Sequence, residues 1–89
     1  MMRYYVIISM DVPHSLEDRL AHRAAHLARL HLLQEAGHLL VAGPLPAIDS
    51  DEPGPAGFMG SLIIAKFLHV DAAIHWASND PYKLAGIYN

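Results

Sequence analysis

Eighty-nine residues, 53% of them apolar and 17% charged, make a chain able to bury one hydrophobic core and too short for a second. With no cysteine it has no disulfides, no thiolate catalysis and no cysteine-based zinc site. A formal net charge of −3 opposes a general nucleic-acid surface. The N-terminal run Met-Met-Arg-Tyr-Tyr-Val-Ile-Ile lacks a signal peptide's long apolar segment, and no stretch approaches membrane-spanning length. The expectation is a single cytoplasmic domain over residues 1–89 that meets neither nucleic acid nor membrane.

Arg3 to Met10 is aromatic and β-branched, the composition of a strand, and Asp11-Val12-Pro13 stops it. Ser15 stands at the N-cap of a helix running to about Ala36, where Gly37 closes it. Leu16, Leu20, Ala24, Leu27 and Leu30 give that helix its apolar stripe. A short strand is expected over Leu39–Ala42. Residues 43–60 hold four of the six prolines and four of the six glycines around Asp49, Asp51 and Glu52, and read as a long acidic loop. Ser61–Phe67 is a third strand. Val70, Ala73, Ile74 and Ala77 mark a second helix, which ends at Asn79-Asp80-Pro81 because proline disfavours helical geometry before it. Gly86-Ile87-Tyr88 is placed as the start of a further strand.

The order β-α-β-β-α, with a possible final β, fits an α+β ferredoxin-like split fold: an antiparallel sheet with both helices on one face. Tyr5, Ile7 and Ile63 are then expected on the uncovered face, where a second copy of the chain is the simplest cover. A homodimer is predicted.

On the first helix Arg19 and Arg23 precede His26 by seven and three residues, which stacks the three side chains on one flank. An imidazole beside two fixed cations can hold an anion and move a proton. His22 and His26 stand four apart, a spacing that suits a shared metal ion. Yet Arg23 occupies the place of a metalloprotease glutamate, and two arginines oppose a divalent cation, so no metal is expected. His31, His38, His69 and His75 read as structural or solvent-facing, and Trp76 as core or dimer-face material. No phosphate-loop or dinucleotide fingerprint is present, and no cofactor is implied.

The collinear segments S-L-E-D-R-L-A-H-R-A-A-H-L-A-R-L, L-L-V-A-G-P-L-P-A-I-D-S, G-F-M-G-S-L-I-I-A-K-F and W-A-S-N-D-P-Y-K-L-A-G-I-Y resemble the YciI-like (YCII-related) family over nearly the whole chain. The resemblance implies a ferredoxin-like domain pairing as a dimeric α+β barrel, with a His/Asp-centred site in a cleft. Some relatives act as small-molecule enzymes, including a dehydrochlorinase of aromatic breakdown. Carried over residue by residue, the family histidine is His26, the helix arginines are Arg19 and Arg23, and the aspartate after G-P-x-P is Asp49. The serine after F-x-G is Ser61, and the D-P-Y aspartate is Asp80. Family members usually run about one strand's length, roughly 5–6 residues, past G-x-Y, whereas this sequence stops at Asn89. The final strand is therefore expected to be shortened or missing.

These residues suggest proton abstraction, elimination or isomerisation on a small anionic substrate. His26 serves as base and an aspartate orients it, Asp49 being preferred to Asp80 because its loop follows the strand beside the helix. Arg19 and Arg23 clamp the anion, and Ser61 donates a hydrogen bond. The competing reading is a non-catalytic dimeric module that binds a metabolite or protein. In it His26 is a boundary histidine, the aspartates cap turns, and the arginines pair with Asp18 or Glu17 or meet a partner.

Overall fold

The computed structural model describes residues 1–89. Strand β1 (Arg3–Met10) leads into helix α1 (Leu16–Glu35), followed by β2 (Leu39–Pro46), a single 3-10 turn (Gly54–Ala56), β3 (Phe58–Phe67), α2 (Val70–Ser78) and the short α3 (Pro81–Leu84). The strands form one antiparallel sheet in the order β1-β3-β2. No helix is long and apolar enough to cross a membrane.

The strand pair β2–β3 is longer than its composition suggests. β2 runs on from Ala42 to Pro46, and β3 starts at Phe58 rather than Ser61, which trims the predicted loop from both ends. β2 lies at the edge of the sheet, where Pro44 and Pro46 can sit without breaking an inner ladder. At Gly60 the sheet closes tightly: a Cβ there would run into the carbonyl oxygen of Ser9 on β1.

Leu30 of α1 and Ala73 of α2 meet Ile63, Ala65 and Phe67 of β3 in the main core, so both helices cover the same face. Tyr5 and Ile7 pack against this cluster, and Ile63 belongs to it. The expectation that these three mark the uncovered face is therefore corrected. The bare face carries the alternate residues Tyr4, Val6, Ile8 and Met10 of β1, 41–63% exposed, opposite Lys66, Ile64, Leu62 and Gly60 of β3. Both faces of these strands are apolar, so alternation separates two sets without saying which one meets the helices.

The apolar stripe of α1 needs the same kind of correction. Leu30 is buried and Leu16 and Leu27 are half-buried, but Leu20 and Ala24 are exposed, while Arg19 and His26 are buried. Internal hydrogen bonds to Arg19 and His26, described below, turn the helix toward its polar flank. Its C-terminus follows expectation, with Gly37 at φ 75° after the Ala36 C-cap. Ser15 takes the N-cap position, but its side chain makes no capping bond.

After α2 the chain turns at once into the short helix α3. Asp80 caps α3 by accepting from the Tyr82 amide, with Pro81 at the first helical position. Only Tyr88 then bridges to Asp11 in strand fashion, beside hydrogen bonds from Val12 N to the Ile87 carbonyl (2.7 Å) and Asn89 N to the Met10 carbonyl (2.8 Å). Tyr82, Ile87 and Tyr88 form a second buried cluster.

Candidate active site

Between α1 and the β2–β3 half of the sheet lies a cavity of about 330 Å³. Arg19, Arg23, His26, Ser61 and Tyr82 supply its polar wall, and Leu27, Leu30, Phe58 and Ile63 are among its apolar residues. The three residues singled out on α1 thus open onto one space.

His26 is 7% exposed. Its Nδ1 lies 2.8 Å from Asp80 Oδ1 and 3.0 Å from Oδ2. An ionised carboxylate only accepts, so Nδ1 carries the hydrogen, and in the neutral ring Nε2 is the nitrogen with the lone pair. Nε2 has no partner in the chain and is not one of the two enclosed, unpaired polar atoms, Asp11 Oδ1 and Arg29 Nη1. It therefore keeps an opening, and the space it meets is the cavity. The imidazole stacks on the Tyr82 ring, with centroids 4.0 Å apart and planes 10° from parallel.

The aspartate on His26 is Asp80, not Asp49. The α2–α3 junction carries Asp80 beneath α1, where one carboxylate both caps α3 and orients the histidine. Asp49 lies exposed on the loop after β2, in a separate shallow cleft formed by residues 46–51.

Arg19 is largely committed within the protein. Nε donates to Asp11 Oδ2 at 2.9 Å, and Nη2 donates to the Gly60 carbonyl at 2.8 Å and to Ser61 Oγ. The guanidinium carbon lies 5.1 Å from the Phe58 ring centroid and 4.8 Å from that of Tyr82. The expected pairing with Asp18 or Glu17 gives way to the buried Asp11, because α1 is turned inward. Nη1 remains unpaired and unenclosed. Arg23 is exposed, lines the cavity and joins neither ion pair, so it is the cavity's uncompensated cation.

Ser61 Oγ accepts from Arg19 and from the Tyr88 hydroxyl, the latter at 2.7 Å. With both lone pairs engaged, its own hydrogen is left to give away. One turn beyond His26 on α1, Arg29 Nη2 donates to the Trp76 carbonyl at 2.9 Å, and its guanidinium carbon lies 4.5 Å from the Trp76 ring centroid. Burial lowers the Arg29 pKa, and the charge of Asp80 opposes that shift. His22 turns away from His26 to the Asp18 carbonyl.

Asp11, Tyr82, Tyr88 and Phe58 join this network without having been singled out from sequence. Tyr82 directly follows the D-P pair, and that adjacency was the available signal. Burial raises the Tyr88 hydroxyl to about 12 and also raises that of Tyr82. The folded protein therefore binds these protons more tightly than the unfolded chain, whose tyrosines titrate near 10. The resulting stability is complete below about pH 10 and is lost as pH rises through about 12. Tyr88→Phe should flatten, but not abolish, the alkaline loss of stability read from urea midpoints between about pH 9 and 12. An unchanged slope would remove Tyr88 as its source.

The profile of the YCII-related domain matches residues 2–89. Protein YciI of Escherichia coli is 57% identical over 84 residues, covering 94% of this chain and 86% of that protein. An uncharacterized protein of Haemophilus influenzae is 55% identical over 85 residues, covering 96% of this chain and 87% of its own length. Among solved structures, 5-chloro-2-hydroxyhydroquinone dehydrochlorinase (TftG) from Burkholderia phenoliruptrix AC1100, in complex with 2,5-dihydroxybenzoquinone, aligns with a TM-score of 0.81 and 29% identity. That alignment covers 99% of this chain and 85% of the other.

Proposed function

The chain belongs to the YCII-related domain family, and from that premise we propose a cofactor-independent enzyme that moves a proton on a small anionic organic molecule held between α1 and the sheet. The carrying observation is His26, whose Nδ1 is fixed by Asp80 while Nε2 stays free at the cavity. Nε2 takes a proton from carbon, and Asp80 stabilises the imidazolium that results. The electron pair left behind shifts onto a neighbouring oxygen or expels a leaving group. Arg23 and Arg19 Nη1 attract the substrate's anionic oxygen, and Ser61 gives it a hydrogen bond. Asp49 takes no part in this chemistry. A dehydrochlorinase of similar structure supports the reaction class, and its bound quinone supports a ligand of one ring.

The test is solvent deuterium exchange, followed by NMR, across a panel of small ring acids bearing enolisable protons. His26→Asn keeps an amide donor at the place of Nδ1, within reach of Asp80, but has no basic nitrogen. It should lower exchange by about 10²-fold or more while the melting temperature moves only slightly. Exchange that persists at the wild-type rate, or no wild-type exchange on any member, defeats the proposal.

The same reading takes residues 1–89 as one ferredoxin-like domain, working in the cytoplasm as a homodimer that covers the bare sheet face. Val6 and Ile8 stand 61% and 63% exposed there, an arrangement that marks an interaction surface. Ile8→Asp should convert a particle of twice the chain mass into a monomer, as read by light scattering. A wild-type monomer would remove the dimer from the proposal.

A further inference from the structure

Tyr82 is the one cavity residue whose polar group is left over by the chemistry above. Only 1% of its surface is exposed. Its hydroxyl donates to no acceptor in the chain, although buried tyrosine hydroxyls usually find one. Nor is that oxygen among the enclosed, unpaired atoms. The remaining sliver of accessible surface therefore includes the hydroxyl, and the side chain lines the cavity.

We propose that Tyr82 is a second catalytic residue: its O–H donates to the substrate oxygen on which negative charge builds as His26 removes a proton, so the preferred substrate carries a carbonyl beside that carbon. The proposal rests on His26 acting as the base in this cavity, and extends that reading to the other end of the substrate.

The two groups are built as one unit. Asp80 Oδ1 accepts from His26 Nδ1 at 2.8 Å and from the Tyr82 amide at 2.9 Å. The rings stack face to face on top of that shared anchor. Tyr88 braces the Tyr82 ring edge-on, with centroids 5.6 Å apart. A base and a donor held this way need little reorganisation when charge develops, which is where a preorganised donor is most effective. The Arg19 guanidinium carbon lies 4.8 Å from the Tyr82 ring centroid, and its charge favours the ionised phenol. A cation beside the ring makes the phenol O–H a stronger donor. Burial outweighs that cation and keeps the phenol protonated, so it remains a donor at neutral pH.

The step balances without a co-reactant. The C–H bond breaks and its proton goes to His26 Nε2. The C–H electron pair becomes a C=C bond, and the carbonyl π pair moves to oxygen, which accepts the Tyr82 hydrogen bond. Return of the proton from His26 to the same or a conjugated carbon completes exchange or isomerisation.

The test uses 4-nitrophenolate at about pH 9 as a ring oxyanion whose absorption reports hydrogen bonding, with nitrobenzene as the analogue lacking the oxygen. Wild type should bind 4-nitrophenolate with a blue-shifted band. Tyr82→Phe keeps the ring stack and should lose part of the shift and about tenfold or more in affinity for the oxyanion, while nitrobenzene binding is unchanged. A shape-preserving second arm replaces all four tyrosines with 3-fluorotyrosine, a stronger donor. Tyr82 is the one tyrosine lining the cavity, so the band should shift further. If the phenylalanine variant binds 4-nitrophenolate as wild type does, or the fluorinated protein shows no added shift, the Tyr82 assignment falls and the His26 reading stands. Failure of wild type to bind either probe overturns both.

Discussion

Replacing Arg19 by methionine is expected to cost about 3–5 kcal/mol, because it leaves a buried carboxylate without its counter-charge. Asp11 has a side chain only 2% exposed, and Arg19 Nε is its one polar partner. Asp11 Oδ1 is already unpaired, so nothing in the fold can take over. The same substitution strips a donor from the Gly60 carbonyl and from Ser61 Oγ. Lysine should not rescue it, since a single ammonium cannot serve Asp11, Gly60 and Ser61 from the positions of a guanidinium fork. Adding Asp11→Asn to Arg19→Met removes the stranded charge and should recover part of the loss. A coupling energy from urea unfolding of the four proteins below about 0.5 kcal/mol would show that the pair is not the source.

Asp80→Ala should lower the melting temperature by roughly 12–24 °C, from a loss of about 3 kcal/mol in a domain of this size. Losing the cap of α3 contributes about 1 kcal/mol. Leaving the His26 Nδ1–H without an acceptor contributes about 1–3 kcal/mol more. Both costs fall on one carboxylate, 2% exposed, that serves two donors. Asp80→Asn keeps a capping oxygen and should recover much of the stability while leaving His26 without its anion. Thermal melts followed by circular dichroism separate the two variants. A shift of under about 4 °C for alanine would mean that neither contact matters.

Sequence was most informative where a local rule decides the outcome. Gly37 ends α1 because a positive φ suits glycine there, and aromatic, β-branched composition marked Arg3–Met10 as a strand. The flank of Arg19, Arg23 and His26 was legible because helix geometry alone puts seven- and three-residue spacings side by side. What failed was non-local. Asp49 and Asp80 both follow a turn-forming segment, and nothing in their neighbourhoods shows which of them passes under α1. Leu20 and Ala24 fit the apolar stripe, but buried hydrogen bonds to Arg19 and His26 outweigh that pattern and rotate the helix. Pro44 and Pro46 looked like the end of a strand, and only the strand's place at the sheet edge explains why it continues.

β3 does two jobs on alternate residues. Ser61, Ile63, Ala65 and Phe67 serve the cavity and core, while Leu62, Ile64 and Lys66 form the bare surface. A slip of one position would exchange them, sending the hydroxyl outward and a leucine into the polar network. Gly60 guards against that error: the notch beside the Ser9 carbonyl admits a residue without a side chain, and the neighbours Met59 and Ser61 do not fit it. Correct alignment of a single strand is thus checked at one glycine, and both the cavity-facing and the bare side of the sheet inherit that check.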